Sequence, residues 1–201
     1  MVEAAHERGY RLEPLPGTRT EVLRIARLFQ ARGGIATVLL GDEASEALVK
    51  EARLDQYQYL HFATHGLLSN DIPYVREPAL VLSLSSLEDQ DGFLKLSEIL
   101  QLDIDADTVV LSACNTGVGK YIYGEGFAAL ARAFMYAGAQ SVVASLWSVA
   151  DESTALLMES FYRYLFEGKS KAQALRLAKS DLKRTGYDHP FFWAPFILWG
   201  E

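Results

Sequence analysis

The sequence predicts an α/β protein with a mainly parallel central sheet of about six strands and helices on both faces. Segments with strand composition alternate along the chain with segments of helical spacing. Most predicted strands are apolar at every position instead of every second one, which is typical of parallel strands buried on both faces. With 201 residues, 50% of them hydrophobic, the chain can bury a sizeable core. We therefore expect a single domain over residues 1–201.

Short runs rich in β-branched and aromatic residues mark the predicted strands, and turn residues separate them. The six runs lie at 36–41, 57–63, 78–84, 107–113, 141–147 and 194–200. Asp91-Gly92 is a hairpin-turn signal between two extended runs. In a sheet of this kind, ligand and reaction sites lie outside the carboxyl ends of the parallel strands.

Capping residues, glycines and the helical spacing of apolar residues mark the predicted helices. The first follows a proline-rich turn, with Thr18 as a possible N-cap, and ends at Gly33-Gly34. The other helices are predicted at 42–52, 95–102, 124–139, 151–168 and 170–186.

Composition excludes several classes of function. The formal net charge is −7 and no basic stripe is present, so we expect no direct nucleic-acid partner. The residues lack zinc-ligand spacing, and 117–120 (GVGK) lacks the flanking residues of a phosphate loop, so no metal or cofactor is predicted. A single cysteine, with no signal peptide and no membrane-length apolar run, indicates a cytoplasmic protein without a membrane partner.

Two reactive residues occupy equivalent places in the predicted sheet. Cys114 lies just past the predicted strand 107–113, and His65 lies just past 57–63, 49 residues earlier in the chain. A thiol attacks as the thiolate, and a nearby histidine can take its proton and later protonate a leaving amine. We therefore predict that His65 and Cys114 meet as a catalytic pair.

A glycine follows the predicted base directly. Gly66 has no side chain, so a substrate backbone could approach closely at this position. Backbone N–H groups are the usual donors to a developing oxyanion. We expect the N–H groups of Gly66 and Cys114 to fill this role.

Several ordered motifs resemble the CHAT domain, a branch of the caspase-like cysteine peptidases that includes separase. They are YLHFATHG, PALVLS, LSACNTG, GEGFAALARAFMYAGAQSVVASLWSV and PFFWAPFILWG. The resemblance implies a caspase-like three-layer sandwich and a dyad of His65 and Cys114, and their spacing is close to the separation of about 50 residues in caspases. It also implies a module that often lies at the C-terminal end of longer proteins, behind helical repeats.

The resemblance further implies where the residue before the scissile bond is recognised. The segment after the strand that follows the nucleophile is LWSVADEST, in which Asp151 would bind a basic side chain and Trp147 would form a groove wall. A carboxylate that faces a guanidinium is a strong discriminator once desolvated. Asp151 serves equally well as a helix N-cap, and Trp147 as a core residue.

Other interpretations stay open at this point. Cys114 could be a small buried hydrophobe. His61, four residues before His65, fits a hydrogen-bonded core residue, and His189 fits a structural loop residue. The chain is thus predicted to be a cysteine endopeptidase acting on a protein or peptide substrate, restrained by a regulatory protein or an upstream repeat domain. The alternatives are a non-catalytic interaction module and an acyl-transfer enzyme for small molecules.

Overall fold

The computed structural model describes residue 12 and residues 15–68, 75–83, 90–115, 125–147 and 151–201, with the backbone alone for 113–115, 125, 126 and 151. The strands are β1 (Tyr59–Leu67), β2 (Ala79–Val81), β3 (Phe93–Lys95), β4 (Thr108–Asn115), β5 (Ser141–Ser145) and β6 (Phe196–Gly200). The α-helices are α1 (Pro16–Gln30), α2 (Glu46–Glu51), α3 (Leu96–Ile99), α4 (Glu125–Tyr136), α5 (Asp151–Phe166), α6 (Lys171–Arg184) and α7 (Pro190–Trp193).

The six strands form one mixed sheet in the order β3-β2-β1-β4-β5-β6. The central strands β1, β4 and β5 are parallel, whereas β2, β3 and β6 each run antiparallel to the strand they pair with. Antiparallel outer strands on a parallel centre are common in large mixed sheets. The predicted α/β class and mainly parallel centre are confirmed.

Helices cover both faces of the sheet because the central strands are apolar at consecutive positions. In β4, Val109 and Leu111 pack into a cluster with α4, while Val110, between them, packs against α5 and α6 on the other face. Helix α1 joins α5 and α6 through Ile25. The result is a three-layer sandwich, as expected for continuously apolar strands.

The prediction of a strand at 36–41 is wrong. Residues 34–40 form no regular element, and a 3₁₀ turn begins at Gly41. Residues 93–95 supply the sixth strand instead, as the partner of β2 in the hairpin that the Asp91-Gly92 signal indicates. β-Branched composition favours a strand only where a neighbouring strand offers its backbone groups, and none pairs with 34–40 among the described residues.

Two predicted helix starts also shift. Helix α1 begins at Pro16, whose missing N–H suits the first helical position, and Thr18 lies inside the helix with its hydroxyl donating to Leu15 O at 2.8 Å. The predicted helix 42–52 divides into the 3₁₀ turn Gly41–Glu43 and α2, because Ser45 caps α2 by accepting a hydrogen bond from the Leu48 N–H.

Candidate functional site

The carboxyl ends of β1 and β4 bring the two predicted reactive residues side by side. These strands pair in parallel from Tyr59–Thr108 onward, and His65 stands in register with Cys114. Neighbouring strands in a sheet lie about 4.8 Å apart, so residues in register are immediate neighbours. Positions 49 residues apart in the chain are therefore adjacent in the sheet.

Both positions belong to the face of the sheet that α1 and α5 cover. His61 contacts Tyr162 of α5, and Val110 packs against the same helix. Positions 65 and 114 each lie four residues further along their strands, and residues two or four apart share a face. The register and the strand period thus place the candidate pair at one end of this face.

His65 lies inside β1 and not beyond its end, which corrects the predicted strand boundary. The strand continues to Leu67 because β2 joins its end, with Gly66 opposite Leu80 and Leu67 opposite Ala79. Likewise Cys114 is inside β4, which ends at Asn115. His65 is only 4% exposed. A substrate therefore reaches this imidazole only after the residues that cover it have moved.

Gly66 stands between two strands. Its position is in register with Leu80 of β2 and with Asn115 of β4. A strand amide points in the plane of the sheet toward a neighbouring strand, so this N–H lies within the ladder region. If this N–H is to donate to an oxyanion, as predicted, the pairing of β1 with its neighbouring strands must open at Gly66.

The predicted substrate-binding residues follow β5 at the same edge of the sheet. The β4–β5 ladder ends at Leu111–Ala144, and Trp147 lies three residues beyond this rung, as Cys114 does. The Trp147 indole is half-buried, and its Nε1–H donates to Phe191 O at 3.0 Å. Asp151 is the first residue of α5, and the predicted role of its carboxylate stays a prediction.

A buried group of polar side chains supports the middle of β1. His61 Nε2 lies 2.9 Å from Glu21 Oε1 of α1, and His61 Nδ1 lies 3.1 Å from the Tyr162 hydroxyl of α5. Glu21 and Tyr162 are 2% and 1% exposed, so these bonds replace water for groups that would otherwise be unsatisfied. Burial, followed by Glu21 and then Tyr59, raises the pKa of Tyr162 well above its usual value, which keeps the phenol neutral.

This group confirms that His61 is a hydrogen-bonded core residue, while sequence reasoning missed Glu21 and Tyr162. Glu21 lies 40 residues before His61 and Tyr162 lies 101 after it, so no local spacing signals the contact. The burial of Glu21 in helix α1 reveals the contact, but this burial is visible only in the folded structure. His189 caps α7 by accepting the Phe191 N–H, which is the structural role expected for it.

The described ranges offer neither a metal site nor a membrane-spanning helix. No group of three or more histidine, cysteine, aspartate or glutamate residues there is placed to hold a metal ion. No helix in those ranges is both long enough and apolar enough to cross a bilayer.

Comparisons with known proteins agree with the fold. The sequence profile of the CHAT domain matches residues 3–201. Tetratricopeptide repeat protein 28 of Mus musculus is 26% identical over 94% of this chain, and its Homo sapiens counterpart is 27% identical over the same share. The chain spans only 9% and 8% of the length of these two relatives.

Proposed function

Because this chain belongs to the CHAT domain family, which is caspase-like, we propose that it is a cysteine endopeptidase with His65 and Cys114 as its dyad. The observation that carries this proposal is the register of β1 and β4, in which the two residues are neighbours on one face of the sheet. A histidine beside a cysteine at the carboxyl ends of parallel strands is the arrangement that acyl transfer by a thiolate needs.

The proposed reaction proceeds through an acyl-enzyme. His65 takes the proton of Cys114, and the sulfur attacks the carbonyl carbon of the scissile peptide bond. The backbone N–H groups of Gly66 and Cys114 donate to the oxyanion. His65 then protonates the leaving amine, and water hydrolyses the thioester, which releases the acid and restores the thiol.

We expect the amino end of helix α5 to favour the thiolate. Helix α5 covers this face of the sheet and begins at Asp151, after the carboxyl end of β5. The amino end of a helix carries partial positive charge, which lowers the pKa of a nearby thiol. A protonated His65 acts in the same direction, so the two together would hold Cys114 ionised at neutral pH.

The burial of His65 supports a latent state. At 4% exposure the imidazole is out of reach of a polypeptide substrate, so the active form requires a rearrangement at this edge. We assign the trigger to a regulatory protein or an upstream repeat domain, since the relatives are named as tetratricopeptide repeat proteins and are far longer than this chain. The same burial favours the second candidate, an interaction module that binds partners without cleaving them.

Substrate preference follows from Asp151. We expect hydrolysis after arginine or lysine, because a desolvated carboxylate pairs with these side chains, and Asp151→Asn should lower kcat/KM for such peptides by about 10–100-fold. Cleavage of a peptide library randomised at the residue before the scissile bond measures this preference. Glu152→Gln, which changes the adjacent exposed acid of α5, is the matched control and should leave the profile unchanged.

The library also distinguishes the two candidate functions. If the wild-type chain cleaves after basic residues and Asp151→Asn keeps this preference, the proposed role of Asp151 is wrong. The proposed endopeptidase activity would still stand. Absence of any cleavage even when the activating regulatory protein or upstream repeat domain is present would contradict the endopeptidase and leave the interaction module.

A further inference from the structure

A small apolar cluster covers the carboxyl end of β1 on the face that carries His65. Its described members are buried and are Leu12, Leu67, Val75, Ala79, Val81 and Phe93. Leu67 follows His65 by two residues on β1, so the two lie on the same face of the sheet. Leu67 is opposite Ala79 of β2, and residues directly opposite in an antiparallel pair share a face. The cluster is therefore next to His65.

Val81 brings this cluster against His65 from the neighbouring strand. The two pairs of the β1–β2 ladder, continued by one step, place Val81 opposite His65. The Thr64 hydroxyl donates to Val81 O, which holds the two strands together at this step. The side of His65 that faces away from Cys114 is thus formed by Val81 and the residues packed on it.

Leu12 reaches the cluster from the chain ahead of α1. It is only 5% exposed and lies four residues before the first residue of this helix. Helix α1 runs antiparallel to β1. Phe29, near the end of the helix, contacts Tyr59 at the start of the strand. Glu21, near the start of the helix, contacts His61 further along the strand. The chain ahead of α1 therefore enters at the carboxyl end of β1, where the cluster lies.

The chain is firmly held just after Leu12. Leu15 O accepts the Thr18 N–H at 3.2 Å and the Thr18 hydroxyl at 2.8 Å, and α1 packs on the sheet through Ile25. One leucine side chain is easier to withdraw than a packed helix of 15 residues. A displacement of the chain ahead of residue 12 thus acts on the Leu12 contact before it acts on α1.

We propose that Leu12 is an autoinhibitory contact. While Leu12 is in the cluster, the edge at His65 stays covered, and its withdrawal uncovers His65 and loosens the adjoining end of β2. This inference deepens the proposed function and rests on it, because it names the contact that keeps the endopeptidase latent. A regulator that moves the chain ahead of α1 would withdraw Leu12.

Leu12→Ala imitates the withdrawn state, because truncating a buried leucine removes most of its contacts. We expect the amides of residues 65–67 and 79–81 to exchange hydrogen at least about tenfold faster than in the wild-type chain. Modification of the His65 imidazole by diethyl pyrocarbonate, located by mass spectrometry, should accelerate by a similar factor. Neither measurement depends on catalysis.

Matched leucine variants separate this local effect from a loss of overall stability. Leu100→Ala, at an exposed position, should leave both rates unchanged. Leu182→Ala, buried in α6, should lower the urea midpoint without selectively accelerating exchange at 65–67. Leu12→Met keeps the volume and should retain the wild-type protection. If circular dichroism shows Leu12→Ala to be unfolded, Leu12→Val removes a single methylene and should accelerate exchange about fourfold.

Peptide hydrolysis measured without an activator separates this inference from the proposed function. Faster modification of His65 in Leu12→Ala, together with at least about tenfold faster hydrolysis, would support both. Faster modification with no hydrolysis, even when the activating partner is present, would support the contact and contradict the endopeptidase. Unchanged exchange and unchanged modification in the folded Leu12 variants, or equal acceleration in Leu182→Ala, would overturn the inference.

Discussion

Cys114→Ala is expected to reduce peptide hydrolysis by about 10⁴-fold or more, to the uncatalysed background, because the variant has no nucleophile to form the acyl-enzyme. The strand should stay folded, since alanine is close in size to cysteine. Initial rates with a fluorogenic peptide in the presence of the activating partner measure the loss, and circular dichroism and urea unfolding measure the fold.

A second test of the dyad compares the single substitutions of His65 and Cys114 with the double substitution. His65→Ala should lose nearly as much activity as Cys114→Ala, and the double variant should lose no more than the worse single one, since residues that act as a unit are non-additive. Ser112→Ala, two residues earlier on β4, is the matched control and should retain activity within a few-fold. Multiplicative losses in the double variant, or full activity in Cys114→Ala, would contradict the assignment.

Gly138→Ala is expected to destabilise the fold by about 3 kcal/mol or more. Gly138 follows α4 with φ of 120°, and a Cβ built there would lie 1.7 Å from the backbone oxygen of Ile104. The backbone conformation and the overlap each cost about 1–3 kcal/mol, and a main-chain oxygen cannot rotate away as a side chain can. Urea unfolding followed by circular dichroism measures the loss.

Gly168→Ala is the matched control for this prediction. Gly168 also has a positive φ, 78°, but nothing lies within 4 Å of its added Cβ. It should therefore lose only the conformational cost, about 1–2 kcal/mol. Equal losses at Gly138 and Gly168 would mean that the contact with Ile104 contributes nothing.

The sheet was largely predictable because its central strands are decided locally. The runs around residues 110 and 142 are apolar on both faces, and this composition is typical of a strand covered on both sides. Their boundaries were less predictable. β1 extends through His65 because β2, a distant segment, pairs with Gly66 and Leu67, and such pairing leaves no mark in the local sequence.

Residues 34–40 show the opposite case, in which the local sequence predicts a strand that the structure does not form. Their composition is that of a strand, yet the neighbouring edge of β1 lies across a cavity, and without ladder hydrogen bonds composition alone makes no strand. At the candidate site, the backbone positions of His65 and Cys114 are in register, as expected for the carboxyl ends of parallel strands that share an edge, and their role as a dyad stays a prediction. The burial of His65 was not predictable, because burial depends on which distant parts of the chain pack over a residue, and the local sequence does not show this.

The most direct test of the account is the pH dependence of alkylation of Cys114 by iodoacetamide, which the single cysteine makes unambiguous. If His65 and the α5 amino end act on the thiol, its pKa lies between about 3.5 and 7.5 and rises toward the ordinary value of about 8.5 in His65→Ala. His189→Ala should leave the curve unchanged. A thiol that titrates near 8.5 in both the wild type and His65→Ala would contradict the account.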